Sequence, residues 1–295
     1  MIWLIGNKGM LGQELSDILV RERVGFTGTD REVDIRIVDT LRDYVKNKKI
    51  DWIINCSAYT AVDKAEEEED VARSINALGA GNIAKLANEI GAKMIHISTD
   101  YVFRGDSSKP YLESDSVDPQ GVYGRTKAEG EVLVASKCPQ HFILRTAWLY
   151  GKQGRNFVAT MLNLMMEKTS ISVVKDQHGT PTWAYDLAMV IFSIVTANNE
   201  KYGIYHFTDA GETTWFEFAI EIQRLGREMG LLNQDCCVLP ISSAQYPTKV
   251  KRPMWSILSK IKIISVFGIT PPEWKDSLKK YLLELKFKKI LTTNI

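Results

Sequence analysis

At 295 residues, with 45% hydrophobic and 25% charged residues, the chain has the make-up of a globular protein of one or two domains, which excludes disorder and collagen-like repeats. Thirty-seven Lys and Arg against thirty-six Asp and Glu give a formal charge of +1, so no summed field draws the molecule to nucleic acid or to an anionic membrane, and neither partner is expected. The longest apolar run, Leu187 to Val195, falls far short of the ~20 residues that cross a bilayer, and MIWLIGNKG lacks the features of a signal peptide. The expectation is a cytoplasmic protein whose cysteines, at 56, 138, 236 and 237, are free thiols.

Short apolar runs rich in β-branched residues alternate with stretches of helical period, the signature of stacked βαβ units. The pattern predicts strands over 1–5, 26–29, 52–56, 94–98 and 142–145, and helices near 10–23, 37–49, 70–90, 122–137, 155–168, 184–198, 214–230 and 273–286. The fold class is therefore α/β, a Rossmann-type doubly wound parallel sheet covered on both faces. After about residue 150 the rhythm loosens and prolines punctuate it, which reads as a smaller C-terminal substrate-binding region. The division expected is a dinucleotide-binding domain over 1–150 that takes back part of 176–208, and a mainly substrate-binding region over 151–295. The acidic run 66–70 reads as the solvated start of a helix. The tail from Phe287 is expected to fray.

The strongest local signal is Gly6-Asn-Lys8-Gly9-Met10-Leu11-Gly12, directly after the first strand and opening the first helix. Glycines there permit a tight turn and close approach of the backbone to a pyrophosphate, while free N–H groups at the helix start face the anion. The spacing is GxxGxxG, distinct from the plain GxGxxG pattern. Asp30 ends the second strand, where a carboxylate would accept from the adenosine ribose of NAD; Arg31 and Lys8 would instead neutralise the 2′-phosphate of NADP. Both readings stay open at those residues, with a lean to NADPH over NADH. Further on, Ser98-Thr99-Asp100-Tyr101 follows the fourth strand and Tyr123-Gly-Arg-Thr-Lys127 opens a helix. Tyr123 and Lys127 lie one turn apart, and an ammonium beside a phenol suits a general acid for carbonyl reduction. The histidines, at 96, 141, 178 and 206, have no zinc-site spacing.

The glycine turn, Asn55-Cys-Ser57-Ala58-Tyr59-Thr60-Ala-Val62-Asp63-Lys64-Ala-Glu66, STDYVF at 98–103, YGRTK at 123–127, and Arg145-Thr-Ala-Trp148-Leu-Tyr150-Gly151 resemble the extended short-chain dehydrogenase/reductases, and more narrowly the dTDP-4-dehydrorhamnose reductase family. The resemblance continues through Asp176 to Thr182 and Lys251 to Leu258. It implies NAD(P)H-dependent reduction of the 4-keto group of a dTDP-sugar, a step of dTDP-rhamnose synthesis for polysaccharides. It also implies that Thr99 polarises the carbonyl, that Tyr123 delivers the proton, and that Lys127 holds the nicotinamide ribose. Ser57, Ala58 and Tyr59 would line the cofactor. Thr60, Val62, Tyr101 and Trp148 would surround the sugar, with Val62 and Trp148 equally readable as core, and Arg252 would meet the diphosphate or lie in a solvent-facing turn. Some family members form homodimers through Mg²⁺, and Asp186 and Glu284 stand near the positions of that metal site.

Two competitors share the scaffold. A sugar-nucleotide dehydratase would need Thr-Asp-Glu after the fourth strand, where this chain has Thr99-Asp100-Tyr101. A non-catalytic NADP-binding subunit, such as the β subunit of methionine adenosyltransferase, resembles the same reductases and stays open on the residues alone.

Overall fold

The computed structural model describes residues 1–197 and 199–293, with side chains of the last helix described as far as Phe287. Strands β1 (Ile2–Ile5), β2 (Phe26–Thr29), β3 (Trp52–Asn55), β4 (Lys93–Thr99) and β5 (His141–Thr146) pair in parallel with a sixth strand, Gly203–His206, in the order β2-β1-β3-β4-β5-Gly203–His206. All five expected strands are present. The sixth carries no periodic signal in the sequence, because GIYH is too short and too close to a polar turn.

Alternation along each strand divides the core. Ile2 and Leu4 pack with Leu15 of α1 (Met10–Arg21) and Leu187 of the helix Ala184–Thr196 on one face. Trp3 and Ile5 pack with Leu41, Ile83 and Val134 of three helices on the other. The expected helix over 70–90 is broken into Glu69–Arg73, a π-helical turn Ser74–Gly79, and Ala80–Glu89. Asn76 in that wide turn faces the interior, accepts from the Tyr59 N–H at 2.8 Å and donates to Thr126 Oγ1 at 3.1 Å. The frayed tail expected after Phe287 is instead the end of the helix Trp274–Thr293, while Asn294 and Ile295 lie outside the described residues. No helix among the described residues is long and apolar enough to cross a membrane.

A second core joins the helices Phe157–Glu167, Trp215–Glu228 and Trp274–Thr293 beside a two-stranded parallel ribbon, Ser170–Val174 with Cys237–Ile241. The ribbon is not visible in the sequence, because its two strands lie far apart along the chain and each is short.

Helix Val122–Lys137 differs from its neighbours in having no apolar stripe: it buries Val122, Gly124, Thr126, Lys127, Ala128, Gly130, Glu131 and Val134. Small side chains bring it close to its neighbours. A Cβ at Gly124 would stand 2.2 Å from the Tyr101 carbonyl oxygen, so only glycine fits there. Polar contacts hold the rest. Glu131 accepts two bonds from Arg145 of β5, Nε to Oε1 at 2.9 Å and Nη2 to Oε2 at 2.6 Å, and a third from Ser98 Oγ. Both charged side chains are almost fully buried. Removing one partner of such a pair strands the other charge in the interior. Arg145→Leu is therefore expected to destabilise the fold by about 3–5 kcal/mol in urea unfolding, and Arg145→Leu combined with Glu131→Leu by much less than the sum of the two single changes.

Candidate active site

In open α/β sheets ligands bind outside the C-terminal strand ends where the order of connection reverses. Here that point lies between β1 and β3, since the chain runs from β1 outward to β2 and returns to β3 on the other side. The glycine turn sits there. A Cβ at Gly12 would meet the Gly6 carbonyl oxygen at 2.1 Å, so this glycine closes α1 onto the turn. Gly9 is the N-cap of α1, and no side chain caps the helix start. A Cβ at Gly9 would have only one neighbour, the Gly6 oxygen at 3.3 Å. The cradle thus presents uncapped N–H groups over a position that a side chain would fill, which fits a dinucleotide pyrophosphate. Met10 and Leu11 continue the helix from it, Leu11 turning into the core.

At the end of β2, Asp30 is half-buried and Arg31 exposed. Glu32, which belongs to no recognisable motif, accepts from the Asp30 N–H at 2.9 Å and pairs with Lys8 at 3.6 Å. The Asp30 N–H is the main cause that holds the Glu32 carboxyl below its ordinary pKa. Lys8 of the glycine turn thus reaches the end of β2 through Glu32, next to the exposed Arg31 in sequence.

On the other side of the crevice, Ser57, Ala58 and Tyr59 leave β3 half-buried, and Thr60 is exposed. Tyr59 donates its hydroxyl to Glu68 at 2.7 Å. Thr99 ends β4, donates to Asp100 Oδ1 at 2.8 Å and accepts from the Tyr101 N–H at 3.2 Å. Burial raises the Asp100 carboxyl to about 6 against the Thr99 and Ser256 hydroxyls that favour its charge. Tyr123 packs edge-on against Tyr101 with centroids 5.5 Å apart. Burial pushes both phenols up, Tyr101 to about 12, and the Thr99 hydroxyl opposes the shift at Tyr123. Lys127 is 1% exposed and donates to the Ile97 carbonyl at 2.6 Å. Burial draws it down to about 8 while Glu131 and Cys56 pull the other way. Tyr123 thus lies within hydrogen-bond reach of Thr99 at the C-terminal edge of the sheet, and Lys127, one turn further along the helix, is anchored on the Ile97 carbonyl of the same strand.

The acidic run does more than solvate a helix. Glu66 accepts from the Val122 N–H at 2.7 Å and so caps the helix that carries Tyr123, while Glu67 pairs with Lys249 and Glu69 with Arg125. Neighbouring Asp63 pairs with Arg252, which also reaches the Tyr101 hydroxyl at 3.4 Å. Arg252 is thus turned inward beside Tyr101, and Lys251 is exposed. Val62 opens a short helical turn, half-buried. Trp148 is half-buried with φ +49, and its indole lies flat on Trp215 with centroids 3.5 Å apart. A bulky side chain in the left-handed region is costly and marks a position held by its surroundings. It packs against the second core and keeps a partly open face. Trp215, which stacks on it, carries no sequence signal beyond helical period.

Asp186 and Glu284 do not form a metal centre with one another. Asp186 accepts from Ser277 Oγ at 2.6 Å, and Glu284 pairs with Lys152 Nζ at 2.8 Å. The same ammonium reaches the buried Glu14 at 3.3 Å. Lys152 supplies the cation for Glu284 and Glu14, and no group of three metal-ligating residues occurs among the described residues. The Mg²⁺ expected near Asp186 and Glu284 thus has no support in these contacts.

A buried lysine with a depressed pKa costs stability while it is charged. In the window from pH 8 to about 10.4 the unfolded chain binds more protons than the folded one, so stability rises with pH there. Lys127→Met is expected to raise the melting temperature at pH 7 by a few degrees, and that gain should shrink as the pH is raised from 8 towards 10. Thermal unfolding across this range checks it.

The family model described as the RmlD substrate binding domain matches residues 1–287. A dTDP-4-dehydrorhamnose reductase of Aggregatibacter actinomycetemcomitans is 40% identical over 282 residues, covering 94% of this chain and 96% of that one. The crystal structure of a dTDP-4-dehydrorhamnose reductase from Clostridium acetobutylicum superposes with a TM-score of 0.90 at 42% identity, over 97% of this chain and 99% of that one. That of Bacillus anthracis, in complex with NADP, gives 0.90 at 37% identity, over 96% and 98%. Sequence and architecture agree along nearly the whole length, and the chain belongs to the RmlD substrate binding domain family.

Proposed function

We propose that the chain is an NAD(P)H-dependent oxidoreductase that reduces the 4-keto group of dTDP-4-dehydro-L-rhamnose to dTDP-L-rhamnose. The observation that carries this reading is that Tyr123 lies within reach of Thr99, with Lys127 anchored on the same strand, beside an uncapped glycine cradle. It is supported by relatives named for that activity at 37–42% identity. The nicotinamide, when bound, supplies hydride. The Thr99 hydroxyl donates to the carbonyl oxygen and polarises it. Tyr123, kept protonated by burial, gives its proton to the same oxygen as negative charge develops there. Lys127 as ammonium stabilises the phenolate left behind and donates to the ribose. Tyr101 and Trp148 offer aromatic faces to the pyranose, with Thr60 and Val62 beside them. Arg252 exchanges part of its contact with Asp63 for the diphosphate.

In this reading both cofactors are accepted, with a lean to NADPH. The Lys8–Glu32 pair is exposed and long, hence weak, and a 2′-phosphate takes Lys8 from it at little cost, while Asp30 accepts from the unmodified ribose of NADH. The dinucleotide unit comprises residues 1–150 together with the helix and strand over 184–206, and the remainder of 151–295 forms the substrate wall.

Gly9→Val tests the cradle by placing a side chain where the pyrophosphate is expected, although its Cβ would stand 3.3 Å from the Gly6 carbonyl oxygen and the turn must give by a few tenths of an ångström. It is expected to weaken NADPH binding by at least tenfold in calorimetry while the chain still unfolds cooperatively. Unaltered affinity would remove the cradle assignment. Tyr123→Phe tests the chemistry: NADPH oxidation at 340 nm with dTDP-4-dehydro-L-rhamnose is expected to lose about 10²–10⁴-fold in kcat with little change in KM. Thr99→Val should lose less. A wild-type chain that binds NADPH tightly but turns over no sugar nucleotide would favour the regulatory-subunit reading instead.

A further inference from the structure

Two polar side chains that the reaction above does not use are buried beneath Lys127, and their hydrogen bonds can be assigned in sequence from one fixed donor. The register of the sheet places Asn55 of β3 beside His96 of β4. Both are 1% exposed. The Ser57 backbone N–H can only donate, and it points at the Asn55 carboxamide at 3.0 Å; the Ser57 hydroxyl joins it at 2.6 Å. The carboxamide oxygen therefore faces Ser57, which leaves its NH₂ facing His96 Nδ1 at 3.1 Å. An NH₂ group only donates, so Nδ1 accepts and carries no proton. Burial holds the His96 pKa well below its ordinary value, which excludes the doubly protonated ring. The single proton is then on Nε2, and Nε2 lies 3.3 Å from Lys127 Nζ.

This is a conflict for a charged lysine. An ammonium has three donors and no acceptor, and here it would face another N–H. An uncharged amine accepts from His96 Nε2 and still donates to the Ile97 carbonyl. The other groups around the amine do not reverse this. Cys56, at the end of β3, is a thiol that burial keeps protonated, its pKa pushed up to about 12. Tyr123, one turn earlier on the same helix, stays a neutral phenol. Glu131, one turn later, favours the ammonium, yet its carboxylate is already held by Arg145 and Ser98.

We propose that His96, fixed as the Nε2–H tautomer by Asn55, is a positioning residue that disfavours the ammonium form of Lys127 until a dinucleotide binds, so that in mildly alkaline solution cofactor binding takes up a proton at Lys127. The proton comes from solvent, and the charge one turn from Tyr123 becomes favourable only when the ribose hydroxyls that can accept from it are present. The inference rests on the dinucleotide reading above.

The test is calorimetric titration of the full chain with NADPH at pH 8.5 in Tris and in Bicine, whose ionisation enthalpies differ. The 2′-phosphate is fully ionised at that pH and contributes no proton. Uptake of roughly three quarters of a proton is expected, falling to about a tenth at pH 7, from a lysine that titrates at about 8. Tight binding without proton uptake at pH 8.5 would overturn the proposal. Asn55→Asp presents an oxygen to Nδ1, so His96 turns to the Nδ1–H tautomer, Nε2 accepts from the ammonium, and the uptake should vanish; uptake equal to wild type would count against the tautomer argument. The nitrogen shifts of His96 in the unliganded wild-type chain provide an independent measurement that needs no variant: Nε2 protonated and Nδ1 bare supports the proposal, and the reverse refutes it. Failure of NADPH to bind at any pH would overturn the dinucleotide reading, and the nitrogen shifts would still decide the tautomer.

Discussion

The bidentate pair between Arg145 and Glu131 fixes where the helix Val122–Lys137 rests, because that helix has no continuous apolar stripe and buries only scattered apolar side chains such as Val122, Ala128 and Val134. Glu131 lies one turn beyond Lys127, and Lys127 one turn beyond Tyr123, so a shift of the ion pair moves the phenol and the amine together. The surroundings satisfy its remaining donors. Ser98 donates to the carboxylate, His206 Nε2 lies 3.4 Å from Arg145 Nη1, and the guanidinium sits 4.9 Å from the centre of the Phe103 ring. A planar guanidinium with five donors in fixed directions can orient a helix in a way that dispersion contacts, which tolerate sliding, cannot.

A helix held by polar contacts also needs its start defined, and the acidic run supplies this. Glu66 caps Val122, while Glu68 takes the Tyr59 hydroxyl and the Lys64 ammonium, drawing the loop after β3 towards the same helix. From within the π-helical turn, Asn76 bonds both to the Tyr59 backbone and to Thr126. Extra-wide turns of this kind re-aim side chains at the expense of regular hydrogen bonding, and here the side chain so aimed joins the loop after β3 to the helix that carries Tyr123. The two halves of the site are thereby coupled through side chains that touch neither reacting partner.

Much of this is legible in the sequence where the signal is local. The unbroken apolar runs MIWLI and WII, the position of the glycine turn, and the four-residue spacing of Tyr123 and Lys127 each depend on residues close together in the chain. What is not legible depends on register. Asn55 and His96, or Ser98 and Arg145, become neighbours only once β3, β4 and β5 are paired. A weaker signal does exist: Asn55 closes an apolar strand and His96 interrupts MIHI, and a polar group in a strand covered on both faces must find a partner or bear the cost of desolvation. The strand Gly203–His206 and the ribbon of Ser170–Val174 are hidden for a different reason, since segments this short are placed by the surfaces they meet rather than by their own periodicity.

The contrast between two partly or wholly buried lysines shows how the fold separates structure from chemistry. Burial acts to lower the pKa of both. At Lys152 the carboxylates of Glu284 and Glu14 outweigh it, the net shift is upward, and the charge is permanent. That ammonium ties α1 to the terminal helix and has no reason to titrate. At Lys127 no carboxylate is in contact, a neutral histidine and a backbone carbonyl take the places that counter-ions would fill, and the net shift is downward. A group poised in this way is unfavourable for the free protein and useful only to a partner that brings acceptors of its own. The stability given up at Lys127 is therefore what the proposed cofactor site requires, whereas the satisfied pair at Lys152 is the mark of a joint.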